Sequence, residues 1–233
     1  MAQELQDLPL AEIVRNDFRA SKILDKYGLD FCCKGKRTLS EACDEKNLNA
    51  VPIEQELQQS LASARTDDPL TKLTASELID HIVDTHHKYV VEYGPLIHKY
   101  LFKVSTKHGD RYPYMPKVFA LYTSLFTELS QHMKEEENVV FPLLKKIEAD
   151  GANSAGETGP QVSRMEEEHE SAGNLLAAIR ELTSDFTIPP QACNTFRVVL
   201  HLLEEFETDL HSHVFKENHI LFPKFIQSSA ASN

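Results

Sequence analysis

The sequence predicts an all-α protein in which a small N-terminal helical domain precedes a four-helix bundle. Along four long segments, apolar residues recur at alternating steps of three and four, the spacing of amphipathic helices. No segment shows the two-residue alternation of a strand. Tryptophan is absent and only 8 of 233 residues are glycine, which suits helices better than a β-sandwich. Hydrophobic residues make up 41% of the chain, enough to fill a core.

The N-terminal domain is predicted over residues 1–63 and holds short helical patterns. "FRASKILDKYG" has the spacing of one amphipathic helix and ends at Gly28, a suitable C-cap. Thr38 and Glu41 in "TLSE" form a predicted capping box, which marks the start of another helix. "PIEQELQQSLASA" is a further amphipathic segment. "RTDDPLTKL" breaks the pattern, so residues 64–73 are predicted to be a linker.

The bundle is predicted over residues 74–226. A capping box of Thr74 and Glu77 begins its first helix, which extends to about Lys107. Residues 227–233, "SSAASN" and the residue before it, are expected to form a flexible tail. The other three long helices are predicted at about residues 116–148, 160–185 and 190–226.

Composition and charge exclude several classes of function. The formal net charge is −12 and there is no block rich in lysine or arginine, so nucleic acid is not expected as a partner. No apolar run approaches the ~20 residues of a membrane span. The N-terminus "MAQELQDLPLAEIVRND" lacks the basic start and apolar centre of a signal peptide. The four cysteines are not spaced like a disulfide framework, and we therefore expect a cytoplasmic protein.

Each long helix places one histidine in its apolar row, and two helices add a glutamate four residues later. A buried carboxylate must be protonated, paired or bound to metal, and these rows contain no lysine or arginine. The histidines follow a duplicated register, with separations of 45 and 44 residues within each helix pair and of 82 and 81 between pairs. This pattern predicts a dinuclear metal centre with two histidines for each metal and two bridging glutamates. The predicted ligands are His87, His132, Glu136, His169, His213 and Glu217.

Other interpretations of these residues exist. A single core histidine is usually structural, and a His-x-x-x-Glu pair is usually solvated, but six such groups in one duplicated register favour metal. His86 competes with its neighbour His87, which fits the apolar row better. Glu128 and Glu168 either orient a ligand histidine or lie on a solvated face. Nitrogen and oxygen ligands without thiolate favour iron or manganese over zinc.

The motifs "HMKEEENVVFP" and "HVFKENHILFP" resemble those of the hemerythrin-like domain, over about residues 74–226. Ordinary hemerythrins carry a second histidine four residues after the one on the third helix. This sequence has Gly173 there. The loss of that ligand leaves one position open on a six-coordinate iron, which favours a reactive centre over simple oxygen carriage.

The stretch "YGLDFCCKGKRTLSEAC" resembles the short domain that precedes a hemerythrin-like domain in the Repair of Iron Centres family. The resemblance implies a protein with two iron ions, oxo- or hydroxo-bridged, that repairs iron–sulfur clusters damaged by nitric oxide or peroxide. The family's iron ligands fall on the same six residues. Implied partners are damaged iron–sulfur proteins, nitric oxide or another small diatomic ligand, and a cellular reductant.

Two alternatives to a repair function stay open at this point. One is an enzyme that reduces nitric oxide to nitrous oxide at the two irons. The other is a scavenger or sensor that binds nitric oxide or oxygen reversibly. The sequence leaves the oligomeric state open, with a homodimer as one option.

The adjacent pair Cys32 and Cys33 is the second candidate site. Neighbouring cysteines close only a strained ring, so a stable disulfide is not expected. The positive charges of Lys34, Lys36 and Arg37 are expected to lower a thiol pKa. Taken alone, the pair is more simply two ordinary cysteines near a basic turn. With the family resemblance, it is expected to act in redox chemistry or iron transfer.

Overall fold

A computed structural model describes residues 5–62, 69–151 and 155–226 of the chain. Within these ranges the chain forms helices and no β-strand, apart from one isolated bridge between Pro9 and Thr38. The predicted all-α class is therefore confirmed. Residues 64–68 of the predicted linker and the predicted tail, 227–233, lie outside the described residues. The boundaries drawn between the two domains stay predictions.

The N-terminal section contains four short helices, and local signals set their ends. The Thr38 hydroxyl accepts the Glu41 amide at 3.2 Å, and the Glu41 carboxylate accepts the Thr38 amide at 2.9 Å, so this capping box is confirmed. Gly28 follows the second helix with φ +62°, a left-handed conformation that glycine adopts without strain. The helices are α1 (Leu10–Asn16), α2 (Ala20–Lys26), α3 (Leu39–Glu45) and α4 (Ala50–Leu61).

Four long bundle helices follow, and we number them I to IV. Bundle helix I joins α5 (Ala75–Ile82), a π-helical turn (Val83–His87) and α6 (Lys88–His108). Bundle helix II joins α7 (Met115–Glu135), a π-helical turn (Glu136–Val140) and α8 (Phe141–Asp150). Bundle helix III is α9 (Ala155–Leu182). Bundle helix IV joins α10 (Asn194–Lys216), a π-helical turn (Glu217–Leu221) and α11 (Pro223–Ile226).

Helices III and IV differ in their bounds from the predicted ones. Pro160 lies inside α9 rather than at its start. The helix ends at Leu182, before the predicted 185, because Ser184, Asp185 and Phe186 adopt left-handed conformations with φ between +50° and +54°. Helix IV begins four residues later than predicted. Cys193 before it is extended, with ψ 165°.

The π-helical turns explain the repeated Phe-Pro of the two motifs. In helix IV the Phe222 amide donates to the Glu217 carbonyl at 2.9 Å, five residues back instead of four. Phe141 makes the equivalent bond to Glu136 in helix II. In each helix the next residue is a proline, which has no amide to donate and closes the widened turn. Both glutamates predicted as ligands thus begin a π-helical turn.

The N-terminal section packs against bundle helix IV. The rings of Phe18 and Phe31 contact the ring of Phe215, with centroids 6.1 and 5.7 Å apart. The His211 imidazole on helix IV lies 2.7 Å from the Asp25 carboxylate on α2. Buried side chains from both sections belong to one hydrophobic core. In the described ranges, none of the helices is both long and apolar enough to cross a membrane.

Candidate metal centre

Six buried side chains from all four bundle helices converge at the centre of the bundle. They form two groups that share both glutamates, and within each group the candidate ligand atoms lie within 4.8 Å of one another. The structure thus brings together all six residues that the sequence predicts as ligands. One group is His87, His213, Glu136 and Glu217; the other is His132, His169, Glu136 and Glu217.

Each glutamate faces one histidine of each group. Glu136 Oε1 lies 3.2 Å from His132 Nε2, and its Oε2 lies 3.4 Å from His87 Nε2. On the opposite helix, Glu217 Oε1 lies 3.0 Å from the Nε2 of His213, and Oε2 lies 3.1 Å from that of His169. One carboxylate oxygen is therefore directed at each group, the arrangement of a bridging carboxylate.

Three of the four rings are held by an acceptor on the Nδ1 side. A proton on Nδ1 that donates to such an acceptor leaves the Nε2 lone pair of the neutral ring directed into the cluster. The acceptors come from bundle helices II, III and IV. The pairs are His87 with Glu137 Oε1 at 2.7 Å, His132 with Glu168 Oε2 at 2.7 Å, and His169 with Asn218 Oδ1 at 2.8 Å.

The geometry of the donor atoms fits a cation. The Nε2 atoms of His132 and His169 are 2.9 Å apart, so the two rings cannot both be neutral without their lone pairs facing each other. Burial lowers the pKa of His132, but Glu136, Glu217 and Glu168 outweigh it and raise the pKa to about 9, so without metal this ring carries a proton in the place of a cation. Apart from the clustered histidines, no group in the described part of the chain donates a hydrogen bond to either oxygen of Glu136 or to Oε2 of Glu217. Converging lone pairs repel one another unless a cation lies among them. A buried cluster of histidine nitrogens and carboxylate oxygens provides the ligands that a metal ion binds.

Electrostatics keep the two glutamates ionised. Burial raises the pKa of Glu136, as does the neighbouring Glu217, but the His132 and His87 imidazoles outweigh both and lower it. Burial likewise raises the pKa of Glu217, yet His213 and His169 hold it well below its usual value. Both side chains are carboxylates, the form that binds metal.

His86 is buried beside the cluster but belongs to a separate network. Its Nδ1 donates to Asp209 Oδ1 at 2.8 Å, and its Nε2 accepts from Lys216 Nζ at 2.9 Å. Burial lowers the pKa of His86 to about 4, so the ring is neutral at pH 7. The ring stacks on that of His213, with centroids 5.3 Å apart and planes 6° apart. In this structure His87, and not His86, faces the two glutamates.

Sequence reasoning missed Glu137 and Asn218, which hold the rings of His87 and His169. A signal for both was present. Each directly follows a ligand glutamate, and they are 81 residues apart, the same separation as Glu136 and Glu217.

The duplicated register of the histidines does not extend to the residues that precede His87 and His169. Glu168 holds His132 on the neighbouring helix, whereas Glu128 is exposed and accepts only a long bond from Ser171 Oγ, at 3.4 Å. The residue equivalent to Glu168, 82 positions earlier, is His86, which stacks on His213 instead of bonding to it. Among the described residues, His213 Nδ1 has no hydrogen-bond partner.

The cysteine pair docks at the glycine that replaces the second hemerythrin histidine. The Cys33 thiol donates to the His169 carbonyl oxygen at 3.2 Å. A Cβ atom at Gly173, one turn later, would lie 3.1 Å from Cys33 Sγ. The space beside Gly173 is therefore occupied by the N-terminal section. The Cys32 carbonyl completes the contact by accepting from His219 Nε2 at 2.8 Å.

The expected lowering of the thiol pKa is wrong for Cys32. Burial raises the pKa of this thiol well above its usual value, and contacts with Cys33 and the Asp30 carboxylate raise it further. Cys32 is 1% exposed. Lys34 and Arg37 bond to other partners, Asn174 and Glu45, so their charges are not directed at the sulfur.

A cavity of about 390 Å³ reaches the cluster between bundle helices II and III. The His132, His169 and His213 side chains line its inner end. Exposed side chains such as Glu128 and Arg164 line the outer part. A small molecule can therefore approach the histidines from solvent.

Two family models match the chain. The hemerythrin HHE cation binding domain matches residues 78–225, which are 148 of the 233 residues and include all six clustered side chains. A domain of unknown function, DUF542, matches residues 6–61 and includes the cysteine pair. The chain therefore carries a cation-binding domain whose His/Glu cluster is suited to hold metal.

The similarity to known proteins covers almost the whole chain. The iron-sulfur cluster repair protein YtfE of Citrobacter koseri is 39% identical over 220 residues, which are 94% of this chain and 96% of that protein. Proteins of the same name from Escherichia coli O8 and Shigella boydii serotype 4 are 38% identical over the same shares. The order of the two domains and this similarity confirm the resemblance to the Repair of Iron Centres family: the chain belongs to the family of the iron-sulfur cluster repair proteins YtfE.

Proposed function

We propose that this protein is a di-iron protein that repairs iron–sulfur clusters damaged by nitrosative or oxidative stress. It acts by supplying iron and by reacting with nitric oxide at the His/Glu centre. One observation carries the proposal: two buried carboxylates each face both histidine pairs, at 3.0 to 3.4 Å. The names of the relatives support the repair function, and the site supports the metal chemistry.

The donor set fits two iron ions. Four imidazoles and two carboxylates, with no thiolate among them, suit iron better than zinc. His87 and His213 would hold one iron and His132 and His169 the other, and Glu136 and Glu217 belong to both groups of potential ligands. When bound, the irons would supply reactivity toward nitric oxide and serve as the source of iron for a damaged cluster.

The protein residues prepare this centre for exchange. Glu137, Glu168 and Asn218 fix the rings with Nε2 facing inward. The two carboxylates carry two negative charges against at least four positive charges on two ferrous ions. Such a site holds iron less firmly than one rich in carboxylates. The cavity between helices II and III admits a small diatomic molecule.

The cysteine pair is proposed to connect the centre with the partners. Cys33 touches the backbone of ligand His169, so electrons or iron have a short route between them. In this proposal Cys32 and Cys33 carry electrons from a cellular reductant or receive iron, and the protein acts in the cytoplasm on damaged iron–sulfur proteins.

Reactivation of an iron–sulfur dehydratase damaged with nitric oxide tests the repair function. The iron-loaded full chain is expected to restore its activity, and Glu136→Gln is expected to lose both bound iron and repair. Glu92→Gln, at an exposed glutamate of bundle helix I that does not line the cavity, is the control and should retain both. Repair that persists in a Glu136→Gln variant without iron would contradict the proposal.

Nitric oxide reduction is a second candidate function, favoured by the cavity that ends at His132, His169 and His213. Nitrous oxide released under reductant, at several turnovers per di-iron centre, would identify an enzyme. Reversible nitric oxide binding without nitrous oxide and without repair would identify a scavenger or sensor.

A further inference from the structure

A second cluster of potential metal ligands lies outside the His/Glu centre, in the turn before α3. The Asp30 carboxylate and the thiols of Cys32 and Cys33 have ligand atoms within 4.8 Å of one another. Cys32 Sγ is 3.5 Å from Cys33 Sγ and 3.3 Å from Asp30 Oδ1. Both sulfurs and one carboxylate oxygen therefore lie close enough together to share one cation.

These separations match the requirements of one tetrahedral cation. Thiolates bound at about 2.3 Å and a carboxylate oxygen bound at about 2.0 Å stand roughly 3.5 to 3.8 Å from each other. The distances of 3.3 and 3.5 Å are shorter by only a few tenths of an ångström. A cation can enter with small movements of the side chains and without a change of the turn.

The backbone of the turn sets this geometry. Asp30 Oδ1 accepts the amides of Cys32 at 3.1 Å, Cys33 at 2.9 Å and Lys34 at 3.3 Å. Burial raises the pKa of Asp30, but His211 and these amides outweigh it and lower the pKa, so the side chain is a carboxylate. The hydrogen bonds explain the turn. Because these bonds come from backbone amides, they do not explain why two thiols lie beside the carboxylate.

We propose that Asp30, Cys32 and Cys33 form a second metal site, which takes one divalent cation of borderline softness. Binding of the cation replaces the thiol protons of Cys32 and Cys33, which are released to solvent, and leaves two thiolates and one carboxylate as ligands. This set suits ferrous iron and zinc. That ferrous iron is the ion in use rests on the proposed repair function. The site itself rests only on the three side chains.

The surroundings indicate a site for exchange rather than a structural one. Three protein ligands leave one position of a tetrahedral ion for another ligand. Asp30 also lines a groove of about 520 Å³ between the N-terminal section and bundle helix III, so the groove reaches one of the three potential ligands. Because Cys33 Sγ lies 3.2 Å from the His169 carbonyl, an ion bound here would lie beside bundle helix III, which carries one proposed ligand of the di-iron centre.

Cobalt chloride added to the reduced full chain, loaded with only the two irons of the His/Glu centre, tests the site. We expect one Co²⁺ per chain beyond the iron, with the near-ultraviolet charge-transfer absorption of a cobalt–thiolate bond. The double variant Cys32→Ser with Cys33→Ser should lose this absorption. Asp30→Asn keeps an oxygen for the three amides but loses the charge, and should weaken cobalt binding at least tenfold. Cys193→Ala, at the exposed cysteine, is the control and should bind normally.

The outcomes separate this inference from the proposed function. Absence of the thiolate absorption in the native chain, or its persistence in the double variant, overturns the second site. Unchanged cobalt affinity in Asp30→Asn removes Asp30 from it. Bound iron and repair are measured on the same samples: if repair fails while the cobalt absorption remains, the proposed function falls and the site stands. Helical circular dichroism verifies that each variant is folded.

Discussion

The imidazole of His132 donates from Nδ1 to Glu168 Oε2 at 2.7 Å, joining a predicted ligand on bundle helix II to helix III. The glutamate thereby fixes which nitrogen faces the cluster. A carboxylate in this position also makes the ring a stronger ligand.

Glu168→Gln is expected to weaken metal binding by about 10- to 100-fold, the usual effect of removing such a partner. The amide can still accept the Nδ1 proton but carries no charge. Competition with a graded series of chelators measures the change. The exposed neighbour Glu167 supplies the control, since Glu167→Gln leaves His132 untouched. Equal affinities of the two variants would show that Glu168 does not support the ligand.

Removal of the metal is expected to destabilise the whole bundle. Without a cation, two carboxylates and four imidazoles are buried together at its centre. A ligand at 1,000 times its Kd stabilises the folded state by about 4 kcal/mol. That corresponds to a fall in Tm of roughly 8 to 16 °C on chelation for a chain of this length. Thermal unfolding before and after chelation, with iron then added back, measures the effect, and an unchanged Tm would argue against a bound metal.

Acid is expected to weaken the connection between bundle helices I and II at Glu148. This carboxylate accepts the Ala75 amide at 2.6 Å and the Ser76 amide at 2.9 Å at the start of helix I. Burial raises the pKa of Glu148, but the bonds from Ser76 and Ala75 outweigh it and lower the pKa. The stabilisation is therefore present above the unfolded-state pKa and is lost as pH falls through the folded-state pKa.

Glu148→Gln tests this linkage. Because the carboxylate is exposed and screened, we expect a loss in the free energy of unfolding of less than about 1 kcal/mol at pH 7. The difference from the native chain should shrink as the carboxylate is protonated. Urea unfolding at a series of pH values from neutral to acid provides the measurement, with Glu128→Gln as control. If the difference in the free energy of unfolding between the variant and the native chain grew on acidification, the proposed linkage would be wrong.

The cluster of six side chains could be predicted from the sequence because each of them lies in a periodic apolar row. His213 and Glu217 continue the row of Phe206 and Leu210, so their burial follows from spacing alone. The capping boxes at Thr38 and Thr74 are likewise local patterns, and both are present.

The features that escaped prediction depend on tertiary contacts or on a single residue. A π-helical turn shifts the register by one position, which a hydrophobic period averaged over a helix does not reveal. The thiol environment depends on where the turn packs: Cys32 faces Asp30 within the fold, whereas Lys34 is directed to Asn174 on bundle helix III. Sequence proximity of a positive charge therefore did not lower the pKa of Cys32.

Gly173 offers a direct test of how the cysteine turn docks. A Cβ atom there would lie 3.1 Å from Cys33 Sγ, and the branched side chain of valine extends further into the same space. Overpacking of this kind costs about 1 to 3 kcal/mol. Gly173→Val is therefore expected to loosen the turn from the bundle and to speed alkylation of the cysteine pair by roughly 5- to 30-fold, as a loss of one or two kcal/mol predicts.

A valine at Gly159 is the matched control, because this glycine lies on the same helix with nothing within 4 Å of an added Cβ. Both changes replace a glycine of α9 by valine, so alkylation that is faster in Gly173→Val than in Gly159→Val reports the contact with Cys33. Mass spectrometry of the alkylated peptides follows Cys32 and Cys33, and Cys43 serves as an internal standard in the α3 core. If Gly173→Val leaves the alkylation of the pair as slow as Gly159→Val does, the turn does not rest on this part of helix III.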